Sequence, residues 1–251
     1  MFREYFILLL LGHVLGDFYI QTGKMADKKI KSLKWVLIHC ACYFAMMVLI
    51  SLGIITWKVL LGAVIAAAFH FLIDFIKFRY IIYTKKKGKL TPVKERNIFF
   101  IDQLLHFISL AVVAYLAVKS NVALKESWIV SDFLSTVGLT RNMVVSWTLA
   151  FLIIIKPANI IISKLLMVYK PDGKGNNSKI DKGTGRFIGN IERIIMLTFL
   201  LIGQFSAIGL VLTAKSIARY DKISKEPEFA EYYLLGTLLS TLLVLLASGV
   251  L

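Results

Sequence analysis

The chain has 251 residues, of which 58% are hydrophobic, and a mean hydropathy of +0.74. Soluble domains are usually about 45 to 50% apolar, so this composition excludes an ordinary soluble domain and indicates a membrane protein. A formal net charge of +15 would favour nucleic-acid binding in a soluble protein. In a membrane protein the distribution of basic residues among the loops determines the orientation in the membrane, and we expect no specific nucleic-acid binding.

Seven apolar stretches are each long enough, or nearly so with their flanks, to cross about 30 Å of hydrocarbon. They are residues 5–20, 33–53, 59–76, 98–118, 143–155, 188–213 and 232–251. We interpret the first as a retained helix and not a cleaved signal, because only Arg3 precedes it and it contains His13 and Asp17. The sequence therefore predicts an all-α, polytopic membrane bundle with six or seven transmembrane helices.

These stretches divide the chain into a first membrane half at residues 1–120, a polar connector at 121–142 and a second membrane half at 143–251. Residues 170–185, KPDGKGNNSKIDKGTG, are rich in Gly, Asn and Lys, which predicts a loop. Cys40 and Cys42 are two residues apart on one predicted helix and face different directions. We therefore expect them to be reduced packing residues.

Basic residues are concentrated in alternate loops. Five lysines lie between residues 24 and 34, eight Lys or Arg between 77 and 96, and seven between 156 and 186. Because positive residues favour the cytoplasmic side, these loops are predicted to be cytoplasmic and the amino terminus to lie outside.

The stretch at residues 188–213 does not fit this topology as a single crossing, because Lys215 and Arg219 would then face outward. A helix break at Gly203 and Gln204 would return the chain as a re-entrant hairpin. The single crossing and the hairpin both stay open, and we favour the hairpin. Such a break is tolerated only where protein or water surrounds the backbone.

Each of the first four apolar stretches contains one histidine, and the chain has no others. Three of these histidines are paired with an aspartate at helical spacing, in HVLGD, HFLID and DQLLH. Residues at i and i+4 stack on one helix face, and all the pairs lie within about ten residues, or roughly 15 Å, of the basic side. The candidate metal ligands are His13, Asp17, His39, His70, Asp74, Asp102 and His106.

Imidazoles and carboxylates are the usual ligands of zinc, iron and manganese, and helical bundles build dinuclear sites from them. Seven groups exceed the needs of one tetrahedral ion. They suit two ions, or one ion with a general base and orienting carboxylates. We expect a divalent metal cofactor, with zinc favoured and manganese or iron as alternatives. The competing interpretation is that each pair only joins helices by hydrogen bonds or lines a proton path.

The leading functional hypothesis is a metal-dependent hydrolase or transferase that acts on a phosphate-bearing lipid or a membrane-proximal phosphoester. In that mechanism a metal-bound water is the nucleophile. The base is a carboxylate that does not hold the metal, drawn from Asp17, Asp74 and Asp102. His39 has no acid at i+4, and it is either the fourth ligand or the acid that protonates the leaving group.

The second half suggests an anion site. GTGRFIGNIERIIM, residues 183–196, places glycines and arginines at a helix entry, where free N–H groups and guanidinium groups bind phosphate. Pro157 lies inside an apolar run, where it should kink the helix and free a carbonyl. The candidate anion- or lipid-binding residues are Lys77, Arg79, Lys156, Arg186, Glu192, Arg193, Lys215 and Arg219. The alternative is interfacial snorkelling of arginines, with glycine for close helix packing.

Two other classes of function use the same residues. A transporter or channel for a divalent ion or protons would use the His and Asp side chains as a transit site. A non-catalytic scaffold would bind anionic lipids through basic loops such as YTKKKGKLTPVKER at residues 83–96. Membrane lipids are expected partners in every case, and the oligomeric state stays open.

Several motifs resemble the bacterial and phage membrane family known as domain of unknown function 3307. They are GHVLGDFYIQ, FHFLIDFIK, FIDQLLH, GRFIGNIERIIMLTFLLIGQFSAIGLVLTAKSIARY and AEYYLLGTLLS. The resemblance covers essentially the whole chain, with the carboxy-terminal stretch as its more specific part. It implies a bacterial inner-membrane protein and no particular biochemistry. More loosely, the intramembrane His and Asp pairs of the first four stretches are similar to those of bacterial membrane-bound metal-dependent hydrolases, by analogy of motif alone.

Overall fold

The structure is a computed structural model that describes residues 1–54, 56–169 and 179–251. Within those residues the regular elements are all helical, and an isolated bridge pairs Ile54 with Glu126. The predicted all-α fold is therefore confirmed. Most of the predicted loop at 170–185, residues 170–178, lies outside the described residues. The loop prediction was wrong for residues 179–185, which begin the helix Lys179–Leu201, so the glycines of GTGRFIG lie within that helix and not at its entry.

The chain forms two compact units, Met1–Leu149 and Ala150–Leu251. The helices of the first unit are α1 (Phe2–His13), which continues as a π-helix over Val14–Ile20, α2 (Gly23–Lys29), α3 (Leu33–Ser51), α4 (Trp57–Lys86), α5 (Pro92–Lys119) and α6 (Trp128–Val137). The unit boundary falls within α7 (Arg141–Leu166). The second unit continues with α8 (Lys179–Leu201), α9 (Phe205–Ile217), α10 (Tyr220–Lys225) and α11 (Pro227–Ser248).

Five described helices, α3, α4, α5, α7 and α11, are long and apolar enough to cross a membrane. A sixth span results if α1, its π-helix and α2 are counted together, although the chain bends by 92° between Phe2–Ile20 and Gly23–Lys29. The protein is therefore a multi-pass membrane protein by the length and composition of its helices. The count is lower than the predicted upper limit of seven because the stretch at 188–213 is not one continuous helix.

That stretch forms a helical hairpin. α8 ends at Leu201 and α9 begins at Phe205, and Gly203 occupies the turn with φ +71°. This left-handed conformation is easily adopted by glycine. Lys215 Nζ in α9 lies 2.6 Å from Glu192 Oε2 in α8, so the two helices lie side by side for about three turns. The predicted break at Gly203 and Gln204 is confirmed.

The polar connector predicted at 121–142 contains a helix, α6, that the sequence analysis did not anticipate. Its signals are local: the Ser127 side chain accepts a hydrogen bond from the Val130 N–H at 3.4 Å, and Gly138 ends the helix with φ +70°. A serine N-cap and a left-handed glycine at the carboxyl end are typical helix boundaries.

In the core of the first unit the Tyr5 side chain of α1 extends to the small residues of α4. The Tyr5 hydroxyl donates to the Val59 carbonyl oxygen at 3.3 Å, and a Cβ atom at Gly62 would collide with that hydroxyl. Ala63 and Ala66 are almost fully buried on the same face of α4. Small residues let helix backbones approach closely in membrane proteins. The same face of α4 carries His70, one turn beyond Ala66, so this contact helps to fix the direction in which His70 points.

Candidate metal centre

His70 and Asp74 lie on the buried face of α4, with 1% and 2% of their surface exposed. Their spacing of four residues places both side chains on one side of the helix, as the sequence predicts. His70 Nε2 is 3.5 Å from Asp74 Oδ2. The ring of Tyr43 stacks on the His70 ring at 3.6 Å between centroids and 5° between planes. Packing on Tyr43 thus fixes the orientation of His70.

His39 from α3 joins this pair from the opposite side. Its Nε2 atom lies 3.1 Å from His70 Nε2 and 3.3 Å from Asp74 Oδ2. The same atom is 3.2 Å from Oδ1 of Asp17, which comes from the π-helix after α1. His39 is fully buried and Asp17 is 7% exposed. Three helical segments therefore bring two imidazole nitrogens and two carboxylate oxygens to one point.

Four of the six distances among these atoms match the first coordination shell of a tetrahedral ion. Zinc bonds of 2.0–2.1 Å to nitrogen or oxygen place neighbouring ligand atoms about 3.3–3.4 Å apart in a tetrahedron. The four measured distances around the point are 3.1 to 3.5 Å. We refer to Asp17, His39, His70 and Asp74 as the tetrahedral group.

Hydrogen bonds alone satisfy this group poorly. His39 Nε2 carries at most one proton and can donate to only one of its three neighbours. His70 Nε2 can likewise donate only once, so at most two of the four close approaches are hydrogen bonds from the imidazoles. A cation among the atoms relieves the repulsion in the other contacts, and Lys29 Nζ, 2.8 Å from Asp74 Oδ2, supplies one at that oxygen. In the described part of the chain the Nδ1 atoms of His39 and His70 have no hydrogen-bond partner. The tetrahedral group is therefore a natural cation position.

The π-helix explains the arrangement around His13. A π-helix advances by i→i+5 hydrogen bonds, and short π segments occur frequently at functional sites. Asp17, inside this segment, lies against His39, whereas the His13 Nε2 atom is 3.4 Å from Gln103 Oε1. The His13 ring stacks on His106 at 5.1 Å. His13 thus borders the cluster beside α5 and is absent from the tetrahedral group.

On α5, Asp102 and His106 are also buried, with 3% and 1% exposed. His106 Nδ1 lies 2.8 Å from the backbone oxygen of Asp102 and therefore donates to it. Lys77 Nζ lies 2.6 Å from Asp102 Oδ2. The side chains of Asp74, Asp102 and His106 offer ligand atoms within 4.8 Å of one another. All seven predicted ligands are consequently brought together in the first unit.

The sequence analysis missed Lys29 and Gln103 at the cluster, and it expected Cys40 only to pack, although Cys40 offers a ligand atom within 4.8 Å of those of His70 and Asp74. Lys29 in α2 is 7% exposed, and its Nζ atom lies 2.8 Å from Asp74 Oδ2 and 3.9 Å from Asp17 Oδ1. Gln103 donates from Nε2 to Asp17 Oδ2 at 2.9 Å and lies 3.3 Å from Asp102 Oδ2. Gln103 is visible as the second residue of DQLLH. Lys29 gave no signal, since it stands among four other lysines of a basic loop.

Three carboxylates, Asp17, Asp74 and Asp102, and two ammonium groups, Lys29 and Lys77, form the charged part of the cluster. With neutral histidines the cluster has one net negative charge. An isolated charge is costly in a buried, low-dielectric environment, so this excess favours a bound cation or a proton on one of the imidazoles.

The predicted anion-binding residues are not gathered into one site. Arg79 in α4 is exposed, and Lys77 is engaged with Asp102. In the second unit Arg186 and Arg219 are exposed and Lys156 is half-buried. Sequence proximity to an apolar stretch thus did not distinguish surface cations from buried ones.

Arg193 is the buried cation of the second unit, with 2% exposed. Its guanidinium donates from Nε to the Ile154 carbonyl oxygen at 2.5 Å and from Nη2 to Asn159 Oδ1 at 2.7 Å and Asn190 Oδ1 at 2.8 Å. Nη1 lies 3.3 Å from Ser240 Oγ. Arg193 thereby joins α7, α8 and α11 through hydrogen bonds to protein oxygens, and in this conformation its role is structural.

Pro157 lies inside α7, as predicted, and cannot donate to the Ile153 carbonyl. The neighbouring carbonyl, that of Ile154, is the one that Arg193 contacts. Glu192 pairs with Lys215 across the hairpin, and Glu231, in the second turn of α11, is exposed. Of the predicted anion-binding residues, Glu192, Arg193 and Lys215 thus contact protein groups in the second unit.

The fold and the site define a multi-pass helical membrane protein with a buried His/Asp cluster. The chain belongs to the family described as protein of unknown function (DUF3307), whose model matches residues 5–135. That range contains all seven candidate ligands, whereas the carboxy-terminal stretch to which the sequence resemblance gave more weight lies outside it. No curated protein and no solved structure matches the chain.

Proposed function

We propose that the protein is a metal-dependent membrane hydrolase or transferase that acts on a phosphate-bearing lipid or a membrane-proximal phosphoester. The single observation that supports this most strongly is the set of four distances of 3.1–3.5 Å, three of them from His39 Nε2, that link two imidazole nitrogens and two carboxylate oxygens in one buried region. A divalent ion bound there supplies an activated water and polarises a phosphoryl oxygen.

In this proposal the tetrahedral group holds the ion. Zinc is the favoured metal because the ligands are mixed nitrogen and oxygen atoms at tetrahedral spacing, and manganese or iron are the alternatives. Gln103 orients Asp17 through its 2.9 Å hydrogen bond. Such outer hydrogen bonds hold ligands in the geometry that a metal requires.

Charge supports an anionic substrate. The cluster has one net negative charge when empty of metal, so a divalent ion reverses its sign. An uncompensated positive charge in a buried site attracts an anion such as a phosphate group. Lys29 and Lys77 stand beside the carboxylates and are placed to contact that group after it enters.

The topology proposed with this function is that of a bacterial inner-membrane protein with its basic loops in the cytoplasm and its amino terminus outside. Lys24 through Lys34 and Lys77 through Arg96 then lie on the same side as the cluster. Phosphate-bearing headgroups of the inner leaflet would reach the site from that side.

The test is phosphate release from phosphatidic acid and prenyl phosphate vesicles by the purified protein with added zinc or manganese. Asp74→Ala should abolish release, while Asp132→Asn, an exposed carboxylate on α6, should leave it unchanged. Full activity of Asp74→Ala at unchanged protein levels would refute the proposed site.

Burial favours a second candidate, transport of a divalent ion. All four residues of the tetrahedral group are at most 7% exposed, and an enclosed cation position between helices also suits a transit site. Metal uptake into vesicles that contain the purified protein distinguishes the two functions. Uptake that His70→Ala abolishes, without any phosphate release, would favour transport.

A further inference from the structure

Beside the tetrahedral group lies a second set of side chains with unused ligand atoms. Asp74, Asp102 and His106 present ligand atoms within 4.8 Å of one another. Asp74 Oδ1, Asp102 Oδ1 and His106 Nε2 are all buried and have no hydrogen-bond partner in the described part of the chain. A buried polar atom without a partner is costly, so three of them on these neighbouring side chains require explanation.

The hydrogen bond from His106 Nδ1 to the Asp102 backbone oxygen fixes the state of this imidazole. A neutral imidazole that donates from Nδ1 has a lone pair on Nε2. The Nε2 atom therefore cannot donate a hydrogen bond, and its lone pair is free to bind a metal. His106 is therefore prepared as a ligand by the outer hydrogen bond that metal-bound histidines usually have.

The two carboxylates are arranged in a similar way. Lys77 occupies Oδ2 of Asp102 at 2.6 Å and leaves Oδ1 free. Asp74 places Oδ2 next to His39 and His70, while its Oδ1 has no partner. Asp74 thus belongs to both sets of ligands, with one of its oxygens unused.

We propose that the cluster holds two divalent ions, and that Asp74 is the carboxylate shared between them. The tetrahedral group binds the first ion. Asp74, Asp102 and His106 bind the second ion, with three protein ligands and positions left for water or substrate. This inference rests on the proposed function and deepens it, because a two-ion site of this kind clamps both the attacking and the leaving oxygen of a phosphoryl group.

Metal stoichiometry of the purified full chain tests the inference. The protein is stripped with a chelator, titrated with Zn²⁺ or Mn²⁺ alone and assayed by elemental analysis after desalting. We expect two equivalents in the wild type and one in His106→Phe, which keeps a ring against His70 at the 4.4 Å contact. His39→Phe should also keep one equivalent, and Asp132→Asn should keep two.

The outcomes separate this inference from the proposed function. One equivalent in the wild type that His106→Phe retains and His39→Phe loses would overturn the second ion and leave the first intact. No metal in the wild type would overturn both. If a variant does not fold, the stoichiometry of the wild type still decides between one ion and two. Electron paramagnetic resonance of the Mn²⁺-loaded wild type is a second measurement that needs no variant. Two ions sharing a carboxylate give an exchange-coupled spectrum, whereas an isolated six-line signal at full loading would refute the shared carboxylate.

Discussion

Replacement of Lys29 by methionine separates a metal centre from a purely structural ion-pair cluster. Lys29 Nζ is the cation 2.8 Å from Asp74 Oδ2 and 3.9 Å from Asp17 Oδ1, and the lysine is 7% exposed. Its loss leaves two buried carboxylates without that cation. Removal of one partner from a buried ion pair typically costs about 3–5 kcal/mol. In metal-free buffer we expect Lys29→Met to lower Tm by on the order of 10 °C.

A divalent ion should reverse this loss. At a free metal concentration about 100 times Kd, binding stabilises the folded state by about 2.7 kcal/mol. The gain should be larger in Lys29→Met than in the wild type, since in the wild type the ion must share Asp74 with an ammonium group. Thermal unfolding in detergent, with and without zinc, measures both effects. Lys24→Met, at an exposed position of the same helix, is the control and should change the free energy of unfolding by at most about 0.5 kcal/mol.

Two results would refute this reasoning. If Lys29→Met unfolds at the wild-type temperature in metal-free buffer, the lysine does not compensate the carboxylates. If zinc shifts the two proteins equally, the ion does not share Asp74 with Lys29.

Further predictions concern helix packing. Gly62→Val should destabilise the protein by about 1–3 kcal/mol, because its Cβ would collide with the Tyr5 hydroxyl at the α1–α4 contact. The control is Gly209→Ala, whose Cβ has open space around it. It should be neutral or stabilising when thermal unfolding is measured in the same way. Arg193→Met should destabilise by about 3 kcal/mol or more, since four buried oxygens lose a charged donor, whereas Arg186→Met at an exposed position should have little effect. Equal unfolding temperatures within either pair would contradict the packing described here.

The sequence was sufficient to predict the class of fold and the four histidines and three aspartates of the cluster. Apolar stretches of span length specify transmembrane helices with little ambiguity, because a backbone in hydrocarbon must satisfy its own hydrogen bonds. The four histidines stood out for the opposite reason, since polar side chains are expensive in such helices and persist where they have partners. Three of them come with an aspartate four residues before or after, and that spacing already places His70 and Asp74 on one face.

The pairing between helices could not be predicted. The spacing of HVLGD suggests that His13 and Asp17 act together, yet Asp17 lies on a π-helix and contacts His39 while His13 faces Gln103. A single extra residue in a helical turn rotates every later side chain, and no residue type in this stretch requires it. The position of Lys29 could not be predicted either, because it depends on the 92° bend between Phe2–Ile20 and Gly23–Lys29 that returns α2 to the cluster.

The second unit shows the limit of arguing from residue type alone. Arg186 and Arg193 stand in one motif and suggested one anion site, but their offset of seven residues separates the two by about 10 Å along the helix axis. Only Arg193 is buried, and its donors are directed at Ile154, Asn159 and Asn190. The break at Gly203 was predictable because the charge distribution and a glycine agreed on it.

The most direct test of the central claim is the metal content of the detergent-purified protein beside a His70→Ala, Asp74→Ala double variant, each checked for monodispersity. The proposed centre predicts bound zinc, manganese or iron in the wild type and its loss in the variant. Equal metal content in the two proteins, or none in either after growth with added metal, would contradict the metal centre and leave the cluster as a network of hydrogen bonds and ion pairs between helices.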